Sequence, residues 1–288
     1  MKARYPDIEG HVERDGVQLG YEVYGNGETT VLLMPTWTIV HARFWKMQIP
    51  YLSRFYRVIA YDGPGNGRSD RVTDPKRYSA DAYADDALAV LDQCGADRAV
   101  VVGLSLGAGY AVRLARRAPD RVLAIAMIGP AIPLTPPSPE RASISERFAE
   151  PYPPDVTGWG KYNLAYWHDH HRDFTQFFFE QCFVEAHSTK PIEDTVGWAA
   201  DSGPDVLEAE ALKQEPDEDW ADAVASIACP LLVVHGTRDR ISPHARGAMA
   251  AELADGTLLS MEGSGHIPNV RDPVKFNLAL RDFIERVA

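Results

Sequence analysis

The sequence predicts an α/β protein with a mostly parallel sheet, doubly wound by helices, and a helical cap inserted between two strands. Three observations indicate it. Short β-branched or apolar runs alternate with helical patterns along most of the 288 residues, as in sheets covered on both faces. An aromatic, helical stretch interrupts this alternation after residue 132. Hydrophobic residues make up 45% of the chain, so a full core can be buried.

Seven short apolar runs have the composition of buried strands. They are residues 17–24, 30–34, 56–61, 99–104, 122–128, 231–235 and 257–261. Between them, residues 82–92 have helical spacing, with Ser79 as the expected N-cap. Ser242-Pro243 and Asp272-Pro273 each place a capping residue before a proline, which predicts the start of two late helices.

The predicted cap begins where the chain becomes rich in proline. Residues 133–139 hold four prolines, which exclude a continuing helix or a central strand. Residues 145–200 then carry 12 of the 28 aromatic side chains, in a helical pattern that lasts to about residue 219. We therefore predict a core domain of residues 1–132 and 226–288, with a cap of residues 133–225.

The charge and the N-terminus exclude several classes of function. A formal net charge of −12 without basic clusters would repel nucleic acid. No run of about 18 apolar residues is present, so no membrane span is predicted. The first residues lack the apolar stretch of a signal peptide, which makes a cytoplasmic location the expectation. The sequence gives no basis for an oligomeric state.

Metal and cofactor sites are not predicted either. Cys94, Cys182 and Cys229 are too few and too far apart for a disulfide framework or for metal-ligand spacing. His168 and His171 fit the spacing of paired ligands on a helix, but no third ligand is evident. We expect a solvated or hydrogen-bonded helix face there, and no metal or cofactor.

The candidate nucleophile is Ser105, in the segment Gly103-Leu104-Ser105-Leu106-Gly107. This segment follows the apolar run 99–102 and precedes a helical pattern. A strand-to-helix turn tight enough to lift a serine above the sheet leaves no room for side chains two residues away, hence the two glycines. The N–H groups at the start of the new helix would face a developing oxyanion.

Two later loops offer the partners that a serine needs. Residues 231–239 read as a buried strand followed by a turn that ends in Asp239, and residues 257–266 as a strand followed by His266. Both loops would lie at the carboxyl ends of strands, where sites form in open α/β sheets. We therefore predict Ser105 as nucleophile, His266 as general base and Asp239 as the group that orients the histidine.

With these residues in place, the chain resembles the α/β-hydrolase fold family from about Gly16 to the C-terminus. The serine turn, the Asp239 and His266 loops and the segment 62–70, expected to be a structural loop, all resemble family landmarks. After the third strand many members carry His-Gly, where this chain has Pro35-Thr36-Trp37. The resemblance implies an oxyanion hole from the backbone N–H groups of Trp37 and Leu106, to which the Thr36 hydroxyl could add a donor.

The expected substrate follows from the nucleophile and the cap. A serine rather than an aspartate at this turn implies acyl transfer through an acyl-enzyme, and an aromatic roof favours a hydrophobic small-molecule ester. The candidate pocket residues are Thr36, His41, Trp167, Phe178 and Trp198. A lactonase, amidase, thioesterase or carbon–carbon bond hydrolase could use the same triad, and a slow-turnover receptor on this fold is the alternative of another class.

Overall fold

A computed structural model of the chain describes residues 4–142, 144–215 and 219–288. Its strands are β1 (Ile8–Arg14), β2 (Val17–Tyr24), β3 (Thr30–Leu33), β4 (Arg57–Tyr61), β5 (Ala99–Leu104), β6 (Val122–Ile128), β7 (Leu231–Gly236) and β8 (Thr257–Met261). In this part of the chain they form one eight-stranded sheet of order β1-β2-β4-β3-β5-β6-β7-β8. Strand β2 runs antiparallel to β1 and β4, and every later pairing is parallel. The predicted mostly parallel sheet is confirmed.

The central strands are buried on both faces because apolar layers cover both sides of the sheet. Every residue of β5 and β7 is buried. Val100 and Val102 belong to one apolar cluster, whereas Val101 belongs to the cluster on the opposite face. This two-residue period is what a strand between two layers requires, and it explains why these runs are apolar without polar alternation.

Strand β1 is a correction to the sequence analysis, which predicts no strand before residue 17. It pairs with β2 from Ile8 opposite Val23 to Arg14 opposite Val17. Its residues are exposed or half-buried, since it lies at the edge of the sheet. Asp15 and Gly16, with φ angles of 51° and 77°, make the two-residue turn that connects the strands.

The helices of the described residues lie between and after these strands. They are α1 (Ile49–Leu52), α2 (Ala80–Gln93), α3 (Leu106–Arg117), α4 (Ile144–Arg147), α5 (Leu164–Cys182), α6 (Thr189–Ala199), α7 (Pro204–Ala211), α8 (Trp220–Ala225), α9 (His244–Leu253), α10 (Pro268–Arg271) and α11 (Pro273–Val287). None of the helices described is both long and apolar enough to span a bilayer.

Local capping explains where two of these helices begin. The Ser79 hydroxyl accepts from the Ala82 N–H at the start of α2, and Asp272 accepts from the Lys275 N–H at the start of α11. At α9 the prediction is corrected, because Pro243 is the N-cap and Ser242 does not cap the helix. The Ser242 hydroxyl instead donates to the Pro130 carbonyl oxygen, 2.6 Å away, after β6.

Helices α4 to α8 all lie between β6 and β7 in sequence, within the range predicted as a cap. The side chains of Trp167, Phe174 and Phe179 on α5 are buried in the same apolar cluster as Val100 and Val102 of β5. Since α5 shares its core with the sheet, the inserted helices are not a separate globule beside it. The limits at residues 133 and 225 stay a prediction.

Candidate active site

Ser105 lies between β5 and α3 in a strained backbone conformation, with φ 56° and ψ −116°. Two glycines make this turn possible. A Cβ on Gly103 would lie 2.2 Å from the carbonyl oxygen of Gly107, and a Cβ on Gly107 would lie 2.4 Å from that of Pro35. The turn is therefore closed on itself and packed against the loop after β3, and Ser105 is half-buried at its apex.

The Trp37 and Leu106 N–H groups lie on the two sides of this turn. Leu106 is the first residue of α3, Trp37 follows β3, and both line one cavity with Ser105. In the described part of the chain neither N–H donates a hydrogen bond to another protein group. Thr36, by contrast, is buried away from the lining of that cavity, and its hydroxyl has no partner among the described residues.

Asp239 and His266 lie in the loops after β7 and β8, and their side chains are buried and in contact. The Asp239 Oδ2 atom is 2.7 Å from His266 Nδ1. Because an ionised carboxylate can only accept, Nδ1 donates this hydrogen bond. A neutral His266 therefore has its free lone pair on Nε2, the nitrogen that a serine hydroxyl would need.

A second histidine, which the sequence analysis did not identify, holds the same carboxylate. His235 at the end of β7 is completely buried, and its Nε2 donates to Asp239 Oδ2 over 2.9 Å. The other oxygen, Oδ1, accepts from the N–H groups of Ile241 and Ser242 at 2.7 and 2.9 Å. The sequence did contain a signal for His235. This residue lies four positions before Asp239, inside an apolar run that predicts a buried strand, where a polar side chain needs a partner.

These contacts determine the charge of Asp239. Its burial favours the protonated form, but the two imidazole rings and their hydrogen bonds outweigh this and hold the pKa of Asp239 well below its usual range. Asp239 is therefore ionised at neutral pH. A fixed negative charge at this position keeps the His266 ring oriented and favours the imidazolium that forms when the ring takes a proton.

Glycines also allow the loops around His266 to pack without side chains between them. A Cβ on Gly129, at the end of β6, would lie 3.1 Å from His266 Nδ1, and one on Gly236 would lie 2.0 Å from the Gly265 carbonyl oxygen. On the other side, the His266 N–H donates to the carbonyl oxygen of Cys182 at the end of α5 over 3.0 Å. The histidine loop is thus held between the sheet and the inserted helices.

The cavity beside Ser105 has a volume of about 550 Å³, within the range of small-molecule sites. Phe178, one of the candidate pocket residues, lines it, and its ring lies 4.7 Å from the Trp37 ring. Trp167 is a correction, because it is fully buried behind Trp37. His41 and Trp198 are also corrected. Their rings pack together 5.4 Å apart, and Trp198 lines other cavities, outside the one that holds Ser105.

Four charged residues line the cavity, where the sequence analysis expected a nearly apolar roof. They are Arg141, Glu210, Lys213 and Arg246. Glu210 is buried, with Oε2 accepting from the Thr38 N–H at 3.0 Å and Oε1 from the Tyr110 hydroxyl at 3.2 Å. Burial raises the pKa of Glu210. No local sequence pattern marks these residues, since they meet only when helices α7 and α9 pack beside Ser105.

The remaining expectations concern positions away from the cavity. His168 lies 2.8 Å from Glu208 Oε2, and the described residues contain no group of three side chains that could hold a metal ion. Asp62 is buried in the loop after β4, where its two oxygens accept from the N–H groups of Ala42 and Arg68 at 2.7 and 2.8 Å. The bond from Ala42 ties the loop 62–70 to the chain after β3, and the bond from Arg68 closes the loop on itself.

The arrangement can be compared with known proteins. The sequence signature of the α/β hydrolase fold matches residues 29–273. The chain belongs to the α/β-hydrolase family. This hydrolase therefore has the fold class predicted from its sequence, an eight-stranded mostly parallel sheet with helices.

The relatives of this hydrolase have several activities. It is 28% identical over 249 residues to the 2-hydroxymuconate semialdehyde hydrolase of Pseudomonas sp. (strain CF600), with 83% of this chain and 80% of the relative covered. It is 26% identical over 273 residues to 3-oxoadipate enol-lactonase 2 of Acinetobacter baylyi, with 94% of each chain covered. A solved structure described as Est816, an N-acyl homoserine lactone degrading enzyme, superimposes with a TM-score of 0.77 at 25% identity, covering 95% of this chain and all of the other.

Proposed function

We propose that this hydrolase cleaves a carboxylic ester of a small molecule with an apolar part, through an acyl-enzyme on Ser105. The observation that carries the proposal is the arrangement around one cavity. Ser105 lies on a strained turn in the wall of this cavity, with two unengaged N–H groups beside it. The buried Asp239–His266 pair at 2.7 Å, in the loops after β7 and β8, supplies an oriented base.

In the proposed reaction, His266 Nε2 takes the proton of the Ser105 hydroxyl as the serine oxygen attacks the ester carbonyl carbon. The N–H groups of Trp37 and Leu106 hold the oxyanion of the tetrahedral intermediate. His266 then protonates the leaving alcohol, which leaves the acyl group on Ser105. A water molecule that loses its proton to His266 attacks this ester, and the acid departs as the serine is restored.

Lactones are the second candidate class of substrate. A lactone is an internal ester and opens by the same steps, with the alcohol remaining attached to the acyl group. Two of the similar proteins are named for lactones, the Acinetobacter enol-lactonase and the N-acyl homoserine lactone degrading enzyme. The cavity of about 550 Å³ has room for either class.

The first test is hydrolysis of p-nitrophenyl esters from acetate to decanoate by the wild type and Ser105→Ala. We expect turnover by the wild type and a loss of roughly 10⁴-fold or more in the variant, because the nucleophile is removed. Ser226→Ala is the matched control, since Ser226 lies beyond α8 and its hydroxyl donates to the Ala223 carbonyl oxygen. Turnover that survives in Ser105→Ala would show that another residue is the nucleophile.

The acyl-enzyme has its own test. In the presence of methanol, esters of one acid with different alcohols should give methyl ester and free acid in one constant ratio, because they share the same intermediate. A fluorophosphonate should add to Ser105 as identified by mass spectrometry, and the adduct should be absent in Ser105→Ala. A product ratio that changes with the leaving alcohol would contradict a common acyl-enzyme. Tight ligand binding without any turnover would instead favour the receptor alternative.

A further inference from the structure

Two arginines reach the catalytic cavity from different parts of the fold. Arg141 lies just before α4, and Arg246 lies on α9 of the core. Both line the same cavity as Ser105. Arg246 is buried, with 8% of its surface exposed. The guanidinium of Arg141 lies over the ring of Trp159, 4.8 Å from the ring centre. Their positions are therefore set by packing.

Each guanidinium donates to a backbone carbonyl oxygen and has further N–H donors without an acceptor among the described residues. Arg246 donates from Nε and Nη2 to the Thr135 carbonyl oxygen, at 3.1 and 3.0 Å. Arg141 donates from Nη1 to the Ile241 carbonyl oxygen, while its buried Nε has no partner among the described residues. Carbonyl oxygens orient the two groups but carry no negative charge to neutralise them.

In the described part of the chain, neither arginine forms a salt bridge with an acid. The charged groups that act on Arg246 are Arg141 and Asp239, and burial and Arg141 together lower the pKa of Arg246. Both oxygens of Asp239 are already engaged by two histidines and two N–H groups.

The other two charged groups of the cavity compensate each other. The ammonium nitrogen of Lys213 lies 3.9 Å from Glu210 Oε1 and 3.7 Å from Glu215 Oε1. Glu210 also accepts hydrogen bonds from the Thr38 N–H and the Tyr110 hydroxyl. Among the described residues these two positive charges, with Arg246 buried and Arg141 half-buried, have no acid as a salt-bridge partner, an arrangement that costs free energy until an anion binds.

We propose that Arg141 and Arg246 form a carboxylate subsite, so that the substrate is a small ester or lactone that carries a carboxylate away from the scissile bond. The planar fork of a guanidinium matches the two oxygens of a carboxylate. The apolar part of the substrate would contact Trp37, Phe148 and Phe178, which line the same cavity. This inference rests on the proposed function of Ser105 for its reaction, but the binding of the anion does not.

The net charge of −12 does not oppose such a substrate inside the cavity. Exposed charges more than about 8–10 Å away are largely screened at physiological ionic strength, whereas the two guanidiniums that line the cavity act at contact distance. The local charge of the cavity therefore determines which substrate binds. Hydrolysis should favour acidic esters over neutral esters of the same shape.

The first test compares matched substrates, with the charge in the acyl or in the alcohol part. Monoethyl adipate is compared with ethyl hexanoate, and 4-acetoxybenzoate with methyl 4-acetoxybenzoate. In at least one pair we expect kcat/KM of the acid to exceed that of its neutral partner by roughly 10- to 100-fold, the value of one to two charge-assisted hydrogen bonds. Arg141→Gln and Arg246→Gln should lower kcat/KM for the acid by a similar factor and lower it for the neutral ester by a clearly smaller factor, so that the preference for the acid is lost.

Two further variants distinguish the effect of losing the positive charge from a structural effect of the substitution. Arg246→Lys keeps the positive charge and should retain part of the preference that Arg246→Gln loses, which a purely structural role for the arginine would not produce. Arg172→Gln is the matched control, because Arg172 is exposed on α5 outside the cavity. It should leave both rates unchanged. Hydrolysis of neutral p-nitrophenyl butyrate reports whether each variant is folded.

Binding to Ser105→Ala tests the subsite without turnover. Calorimetry with 4-phenylbutanoate and its neutral amide should give at least about tenfold tighter binding of the carboxylate, and Arg246→Gln in the same background should remove the difference. Equal affinities for the two probes would overturn the subsite even if Ser105 hydrolyses neutral esters. Carboxylate binding that depends on the arginines, without hydrolysis of any ester, would support the subsite and reject the proposed reaction instead.

Discussion

Asp239 and His235 illustrate what a single residue contributes to this site and how far the sequence reveals it. Asp239 accepts four hydrogen bonds, two of them from histidine rings. The sequence identified Asp239 because a carboxylate in a turn after a buried strand is a recognisable pattern. It did not identify His235, since a polar residue inside an apolar run has no interpretation until its partner is known.

Arg141, Glu210 and Arg246 were missed for a similar reason. Each lies far from Ser105 in sequence and in a segment without a motif, so the only evidence for its position is how the helices pack. The same limit applies to the candidate pocket residues. Trp167 and Phe178 both lie on α5, but the helix is kinked between them at His170 (φ −140°, ψ 39°), and Phe178 lines the cavity whereas Trp167 is fully buried.

The burial of Glu210 leads to a prediction about pH. Since burial raises its pKa above the unfolded value of about 4.3, the stabilisation from this group is complete below that pH and is lost as pH rises through the folded pKa. Glu210→Gln does not titrate, and its amide can accept from the Thr38 N–H and donate to the Tyr110 oxygen. We therefore expect the variant to gain stability over the wild type between pH 5 and pH 8, by about 1.4 kcal/mol for each unit by which the pKa is raised.

Urea unfolding of both proteins at pH 5 and pH 8 measures this difference. Glu252→Gln is the control, because Glu252 is exposed on α9 and its replacement should change stability equally at the two pH values. A Glu210→Gln variant whose stability relative to the wild type falls as pH rises would show that the carboxylate is more stabilising when ionised. That result would contradict the direction of the pKa shift.

At the scale of elements, the sequence predicts the strands buried on both faces well and the edge of the sheet poorly. β5 and β6 begin and end at the predicted residues, 99–104 and 122–128, because apolar runs there have one interpretation. β1 holds Glu9, His11, Glu13 and Arg14, so its pattern resembles a surface loop. The Asp15-Gly16 pair was the available signal, since this dipeptide is typical of hairpin turns.

The junction of β5 and α3 gives a prediction for Gly107. A Cβ there would lie 2.4 Å from the Pro35 carbonyl oxygen, so Gly107→Ala must displace the loop that carries Trp37. We expect a destabilisation of roughly 1–3 kcal/mol. If the Trp37 N–H holds the oxyanion, kcat should fall by roughly 10²-fold or more, with a smaller change in KM.

Ester kinetics and thermal unfolding check this prediction. Gly197→Ala is the matched control, because a Cβ on Gly197 in helix α6 meets no atom within 4 Å. It should stabilise the protein by about 0.5–1 kcal/mol, as alanine does in a helix interior, and leave kcat unchanged. Normal kcat in Gly107→Ala would mean that the turn tolerates the displacement and that Trp37 is not essential to the reaction.

At the scale of the whole molecule, composition alone predicted the inserted helices but not how they attach. Proline after residue 132 and the density of aromatic residues marked an insertion into the sheet. Its attachment became visible only in three dimensions. The buried side chains of α5 belong to the cluster that covers β5, and the backbone of Cys182 and the carboxylate of Glu185 accept hydrogen bonds from the N–H groups of His266 and Gly265. The inserted segment therefore also holds the loop of His266.

This shared core leads to a prediction about unfolding. Detaching α5 would expose Trp167, Phe174 and Phe179 together with the sheet residues beneath them, and it would release the loop of His266. Exposing three aromatic side chains of this size costs several kcal/mol, so separate opening of α5 should be almost as unfavourable as global unfolding. In native-state hydrogen exchange with increasing urea, peptides from α5 and β5 should lose protection at the same denaturant concentration, and ester hydrolysis should be lost with them. If α5 exchanged at clearly lower urea while β5 stayed protected and hydrolysis continued, the inserted helices would be a lid that opens by itself, and the contacts to His266 would be dispensable.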